Sequence, residues 1–363
     1  MTEMTETSQV APAASRARRD AGKVRWAIVG ASQIARSWVA KAIQSVPDAD
    51  LVAVVSRSAE RGRAFANDLG IPVSATSLKS LLAETALDAV YVSTNNDRHC
   101  DDTLEAAAAG LHVLCEKPLG LTLYDAVKMA RACDSAGIVL ATNHHMRGAA
   151  THRAIRDLVQ TGQIGRPLAA RVMYCEYLPK ELQTWRTKDK EQGGVIYDLT
   201  VHNVDVLRFV LADEPVEVMS MKASSLIGEN GVEDQVQSIV NFASGLIAYM
   251  HEGQVFAHHE TALEIHGTEG SIYGRGILDE APSGQVYLRR GTEMTEIPVE
   301  TANLYATTIA QFDAAVLHGE QPAATGWDGV ASLATALAVR RSAQEGVRVS
   351  VPRFEGNPPV PVA

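Results

Sequence analysis

Between residues 25 and 145, short runs rich in Val, Ile and Leu alternate with stretches long enough for helices, a rhythm few architectures accept. The runs fall at 25–30, 51–56, 71–74, 89–94, 112–116 and 139–143, and they are apolar throughout rather than at every second residue. Strands apolar on both faces belong to a parallel sheet covered on two sides. Segments 58–68, 97–109 and 121–136 lie between them, with Gly70, Gly110 and Gly137 just past their ends, where a helix stop favours left-handed backbone. The expectation is an α/β chain that opens with a doubly wound parallel sheet. Such a sheet binds ligands outside the carboxyl ends of its strands.

After about residue 146 the pattern changes. Helices are expected over 149–160 and 195–211, the second carrying Asp198, His202 and Asp205 at i, i+4 and i+7. Then 217–225, 236–252, 261–273 and 285–299 read as strands, the last three broken at Ser244-Gly245, Gly267 and Arg290-Gly291 as hairpins are. Helical stretches over 303–318 and 328–344 follow. This half is expected to be an α+β unit, an open, mostly antiparallel sheet with helices on one face. The expected division is a tail over 1–22, a nucleotide-binding domain over 23–146 and a substrate-binding domain over 147–363. The tail, rich in Thr, Ser, Ala and Glu, cannot bury enough surface to offset the entropy of ordering. Its Arg18-Arg19 pair is not followed by an apolar segment, so no export signal is expected.

Composition narrows the function classes. No run approaches the roughly 18 apolar residues of a membrane span. A net charge of -10, from 33 Lys and Arg against 43 Asp and Glu, disfavours a nucleic-acid partner. Four cysteines, Cys100, Cys115, Cys133 and Cys175, contain no C-x-x-C pair, which argues against a disulfide framework and fits a reducing compartment, the cytoplasm. No metal is expected, because neither His144, His145 and His152 nor His258 and His259 form a familiar ligand spacing.

The first run ends in Gly30-Ala31-Ser32-Gln33-Ile34-Ala35, a relaxed G-x-G-x-x-G/A with Ser32 in place of the middle glycine. Gly30 permits the tight turn, the helix N-terminus receives a pyrophosphate, and Ala35 lets helix and strand pack closely. The second run ends in Ser56-Arg57-Ser58, with Arg61 one turn later. A carboxylate there would accept from a ribose 2′-OH and repel a 2′-phosphate. A hydroxyl and two guanidinium forks suit the phosphate instead, so NADPH/NADP is expected over NAD, the plainer alternative being two solvated arginines. Ser93-Thr94-Asn95-Asn96 and Glu116-Lys117-Pro118 follow the next full-length runs, where ligands bind. Pro118 biases Lys117 towards extended backbone. Aimed into the crevice, that lysine could polarise a carbonyl or bond a sugar hydroxyl; without that context it is a solvated loop residue. The Asp198/His202 stripe is either a wet helix face or part of a cleft, where histidine suits proton transfer near neutral pH. Asn143-His144-His145 either lines the same cleft or is a polar strand end.

Together with Gly193-Gly194-Val195-Ile196, Thr200-Val201-His202 and His266-Gly267-Thr268-Glu269-Gly270-Ser271, these stretches make the chain resemble the glucose-fructose oxidoreductase and inositol dehydrogenase family from about Lys23 onward. The resemblance implies an N-terminal Rossmann domain that binds NADP and an oxidoreductase acting on CH–OH or ketone groups. Reduction of a sugar-ring ketone is foremost, 1,5-anhydro-D-fructose to 1,5-anhydro-D-mannitol, with inositol or glycoside dehydrogenation as the alternative. It assigns carbonyl polarisation to Lys117, the proton to His202 and substrate holding to Asp198, with Asn143 and His145 beside them. Cofactor contacts fall to Gly30, Ala31, Ser32, Gln33, Ile34, Ser56, Arg57, Arg61, Ser93, Thr94, Asn95, Asn96, His99, Glu116, Lys117, Trp185 and Arg186. A non-catalytic dinucleotide-sensing regulator would share the fold, but Lys117 and His202 together argue for chemistry. The expected partner is a small sugar, with the chain a monomer or a homo-oligomer through the open sheet.

Overall fold

A computed structural model describes residues 22–300 and 302–354; the tail expected over 1–22 lies outside the described residues except for Gly22. Strands β1 (Val24–Val29), β2 (Ala49–Val55), β3 (Val73–Ala75), β4 (Ala89–Val92), β5 (His112–Cys115) and β6 (Leu140–Thr142) form one sheet in the order β3-β2-β1-β4-β5-β6. Every pairing in it is parallel. The apolar runs serve two cores at once. Trp26, Ile28 and Tyr91 pack on one face, and Ala27, Val90 and Val113 on the other. Ser58 and Thr122 cap the starts of helices Ala59–Leu69 and Leu123–Ala136, whose ends are closed by Gly70 and Gly137, both at φ 65°. Strand order reverses between β1 and β4, which opens a crevice at their carboxyl ends.

The second sheet contains β7 (Pro167–Cys175), β8 (Pro215–Ala223), β9 (Gln235–Phe242), β10 (Ile247–Gly253), β11 (Ala262–Gly267), β12 (Ser271–Arg275), β13 (Gln285–Arg290), β14 (Glu293–Ile297) and β15 (Val349–Ser350). Their order is β14-β13-β12-β11-β7-β10-β9-β8-β15, antiparallel except where β7 meets β10. The central strand β7 was not among the expected strands. Ala170, Val172 and Tyr174 point inward at alternate positions, but Leu168 in the same register is exposed, and outward Ala169 and Met173 blur the polar half of the pattern. The inner face packs on helices that include Val201–Leu211; Met219, Met221, Ile239 and Ile247 remain exposed.

The last two helices return to the first sheet. On Leu304–His318, Leu304, Ile309 and Phe312 join the core of Trp26 and Ile28, with the Phe312 and Trp26 rings 4.8 Å apart. Trp26 Nε1 donates to Asp313 Oδ1 at 3.0 Å. On Gly326–Glu345, Val330 and Leu333 pack with Val90 and Val113. The core of the parallel sheet is thus completed by residues beyond 300. No helix among the described residues is long and apolar enough to cross a membrane.

Candidate active site

At Gly30 the backbone has φ 104°, and a Cβ would lie 2.6 Å from the Ser93 carbonyl oxygen, so the first turn requires glycine. Ser32, where a second glycine was the expected type, uses its hydroxyl. It shares a 2.5 Å hydrogen bond with Ser93 Oγ and accepts the Ala35 amide at 3.1 Å, capping the following helix. That helix contains a π-turn at Ala35–Val39. Beside it opens a cleft of about 280 Å³, lined by Gly30, Ala31, Ser32, Ser56, Arg57, Arg61, Ser93, Thr94 and Asn95. Thr76, Ser77, Arg98 and Asp102 line it too, unannounced by any motif. Arg57 and Arg61 are exposed, and neither has an ion-pair partner among the described residues. Buried Ser56 has an Oγ without a hydrogen-bond partner. These groups and the glycine cradle fit a dinucleotide.

Other expected cofactor residues lie outside that lining. Gln33 donates to Ser37 at 3.0 Å, and Ile34 packs against the first core. Asn96 donates to the Gln192 carbonyl at 3.2 Å. His99 is buried between two site loops, with Nδ1 2.8 Å from the Pro118 carbonyl and Nε2 3.2 Å from that of Thr94. Glu116 accepts from the Tyr91 hydroxyl, from Asn143 Nδ2 at 2.6 Å and from the Lys117 amide at 3.2 Å. Glu116 and Asn143 therefore brace the loop that carries Lys117.

Lys117, at the carboxyl end of β5, meets Asp198 from the second half of the chain. Its ammonium donates to Asp198 Oδ1 at 2.7 Å and to the Asp198 carbonyl at 3.0 Å. One of its three donors is left. Gln254 Nε2 donates to Asp198 Oδ2 at 2.8 Å, and Arg186, stacked over the Trp185 ring at 4.6 Å, places Nε 3.9 Å from the same oxygen. Burial pushes the Asp198 carboxyl up, but Lys117 and Arg186 outweigh it and hold it at about 2. Asp198 sits in a π-turn, Ile196–Thr200, at the start of the helix that continues as Val201–Leu211. The inserted residue rotates Asp198 by about 100° relative to a regular helix.

His202, only 3% exposed, is held well below its ordinary pKa by burial, Lys117, His145 and His144. Its ring lies 4.9 Å from that of His145, edge to face, and His145 stacks on Tyr305 at 4.6 Å. Burial, with Lys117 and neighbouring histidines, lowers His145 to about 3, although the Asn143 carbonyl acts the other way. Beyond that carbonyl neither ring nitrogen of His145 has a hydrogen-bond partner, and Nδ1 of His202 and the Tyr305 hydroxyl have none. A buried polar atom left dry costs about 1 to 3 kcal/mol. Two further carboxyls face this cluster, Glu176 just after β7 and Glu280 beyond β12. Burial and the Glu280 and Asp198 charges raise Glu176 to about 8, and burial raises Glu280. Recognising β7 would have placed Glu176 at a strand end; Glu280 and Gln254 lie in connections that carry no periodic signal.

Asp205, the third member of the expected stripe, does not reach the cleft. It takes a two-pronged bond from Arg147 at 2.8 and 2.7 Å, and Arg147 also donates to Asp328 at 3.0 Å. Arg208 links Asp328 at 3.1 Å to Glu214, which accepts two bonds of 2.7 Å. All five side chains are buried. The network ties the end of the parallel sheet, the helix Val201–Leu211 and the capped start of Gly326–Glu345 together.

Residues 24–144 match the oxidoreductase family with an NAD-binding Rossmann fold, and residues 152–273 match the GFO/IDH/MocA C-terminal domain. Over 323 residues, 89% of this chain and 97% of the relative, the chain is 50% identical to 1,5-anhydro-D-fructose reductase of Ensifer adhaerens. It is 29% identical over 350 residues to inositol 2-dehydrogenase of Rhizobium meliloti strain 1021, covering 90% of this chain and 99% of that one. The aldose-aldose oxidoreductase from Caulobacter crescentus, solved with glycerol, shares the fold with a TM-score of 0.83 at 23% identity, over 90% of this chain and 99% of that chain. The family expected from the motifs is the one matched, and both halves of the chain carry its domains in order. The protein is an oxidoreductase of the GFO/IDH/MocA family.

Proposed function

We propose that the protein uses NADPH to reduce a ketone on a sugar ring, with 1,5-anhydro-D-fructose as substrate and 1,5-anhydro-D-mannitol as product. The observation that carries this reading is the Lys117–Asp198 pair set against His202 at the carboxyl end of β5, one strand from the nucleotide cleft. The 50% identity to 1,5-anhydro-D-fructose reductase favours the substrate. Arg57 and Arg61, with Ser56 in place of an acid at the second strand's end, favour a 2′-phosphate and hence NADP over NAD.

When bound, the reduced nicotinamide supplies a hydride to the carbonyl carbon. Lys117 gives its remaining N–H to the carbonyl oxygen and stabilises negative charge as it develops there. Asp198 holds the ammonium in place and aims it, and His202 donates the proton that completes the alcohol. Arg186, Glu176 and Glu280 offer donors and acceptors to ring hydroxyls. The four cysteines are free, which fits a cytoplasmic enzyme. A panel of anhydroketoses, inosose and oxidised glycosides with NADPH or NADH, and of the corresponding alcohols with NADP or NAD, tests the reading by nicotinamide absorbance. Turnover of inositol but of no anhydroketose would replace the substrate, and cofactor binding without any turnover would replace the enzyme by a sensor.

A further inference from the structure

His202 is enclosed on the side away from the cleft. Its Nδ1 is sealed from solvent and has no partner, whereas Nε2 is the ring nitrogen left to the cleft. Held neutral by its surroundings, the ring carries a single N–H. Giving up that proton alone would leave an imidazolate, a base of about the alkoxide's own strength and an uncompensated negative charge in a buried site. The difficulty disappears if the other nitrogen gains a proton as the first one loses its own.

The rings behind His202 are arranged for that exchange. His145 is 4% exposed, lies edge to face with His202 at 4.9 Å, and has no partner at its two nitrogens beyond the Asn143 carbonyl. Its plane is fixed by the stack on Tyr305, tilted 24°, whose buried hydroxyl is also unpartnered. His152, fully buried on the helix Ala150–Gln160, adds two more such nitrogens close enough for its charge to act on His145. So many donors and acceptors, each more than nine-tenths buried and none joined to another, point to ordered internal water that joins them.

We propose that His145 is a proton relay, passing a proton through internal water to Nδ1 of His202 as Nε2 of His202 gives its own proton to the substrate oxygen. The inference rests on the ketone-reduction reading. The substrate gains a hydride at carbon and a proton at oxygen, while the nicotinamide is oxidised. His202 loses one proton and gains one, and His145 takes up at its other nitrogen, from solvent through the internal water, the proton it hands on. Once product leaves, water in the open cleft returns a proton to Nε2, and Nδ1 sends its own back along the relay. Overall, one solvent proton is consumed per turnover.

Two variants and one structural measurement test the relay. His145→Phe keeps an aromatic ring on Tyr305 and removes both nitrogens; His145→Ala leaves room for added imidazole. The expected result is a fall in kcat of at least about tenfold in both, with KM for the ketose and the Kd for NADPH changed less than about threefold. Imidazole should restore the alanine variant in proportion to its concentration, and the solvent isotope effect on kcat should rise. A high-resolution crystal structure of the wild type should show water bonded to His145 and to His202 Nδ1. The relay is overturned by a phenylalanine variant within about twofold of wild-type kcat, by an alanine variant that binds NADPH but gains nothing from imidazole, or by a dry pocket. A wild type that reduces no ketose removes the functional reading, while the crystallographic water still decides whether the path exists.

Discussion

The helix that begins at the Ile196–Thr200 π-turn and continues as Val201–Leu211 carries two ionic clusters less than three turns apart, and they differ in what they leave unused. Around Asp205 and Arg208, two guanidinium groups meet three carboxylates in hydrogen bonds of 2.7 to 3.1 Å. The surplus negative charge falls on Asp328, where the amide and hydroxyl of Thr325 at a helix start also bond it. Around Asp198 and His202, Lys117 keeps a spare donor, Tyr305 a spare hydroxyl and the histidines spare nitrogens. Charges that hold a fold are saturated by their neighbours, and charges that handle a substrate are held in place with capacity in reserve.

The sharpest way to break this contrast is to remove one member of each cluster. His202→Ala should lower kcat by about 10² to 10⁴-fold while thermal unfolding stays near that of the wild type, because it deletes an unsatisfied buried ring. Combined with Lys117→Ala, the losses should be less than multiplicative, since both act on one oxygen. Asp205→Ala should do the reverse. Stripping a buried partner from Arg147 costs about 3 to 5 kcal/mol, read by urea unfolding, with kcat per folded molecule retained. An Asp205 variant with normal stability and collapsed turnover would reverse the assignment.

A smaller effect belongs to the nucleotide cleft, whose two arginines have no ion-pair partner among the described residues. Arg57→Ala or Arg61→Ala should weaken NADPH about tenfold to a hundredfold, roughly 1.5 to 3 kcal/mol, and leave NADH unchanged. A wild type that prefers NADH would remove the 2′-phosphate from the argument.

The smallest effect per group is on pH dependence. His144, His145 and His152 are held by burial at about 4, 3 and 4, so the unfolded chain takes up their protons first and each weakens the fold as pH falls below about 6.5. Glu176 and Glu252, raised by burial to about 8, act oppositely, strengthening the fold as pH falls from there towards 4.5. Each group contributes about 1.4 kcal/mol per pH unit inside its window. Between 6.5 and 4.5 the two glutamates offset two of the three histidines. Below 4.5 the histidines act without that offset and are joined by Asp198, whose stabilisation is lost between its ordinary value and about 2. Denaturation midpoints should therefore rise as pH falls from 8 to 6.5, change little between 6.5 and 4.5 and fall beneath that; a steep loss already at pH 6 would mean that Glu176 and Glu252 are ionised in the folded protein and give no offset.

Much of the parallel sheet was legible because its signals are local. Apolar runs buried on both faces, and a glycine such as Gly70 after each helix, are each decided within a few residues. The nucleotide cleft shares that property, since Gly30 and Arg57 stand at strand ends in the opening units. The catalytic cluster was legible only in part. Asp198, His202 and Asp205 share one helical stripe on paper, yet the π-turn at Ile196–Thr200 shifts the phase between the first and the last, and periodicity assumes a constant pitch. Glu176 was hidden with β7, whose outward face is apolar enough to erase its alternation. Tyr305 reaches His145 only because the chain crosses back after 300, a tertiary event with no local signature.

That crossing-back sets a timetable for synthesis. Residues 24–142 leave the ribosome about 190 residues before Leu333, a delay on the order of 10 to 40 s at 5 to 20 residues per second. Until then Trp26 has neither the Phe312 ring nor the Asp313 carboxylate to meet its indole N–H, and β4 and β5 lack Val330 and Leu333. The part of the chain made first is therefore the part finished last. A premature stop just after residue 300 would spare every strand of the parallel sheet and still leave the oldest core open, a substrate for chaperones rather than a smaller enzyme.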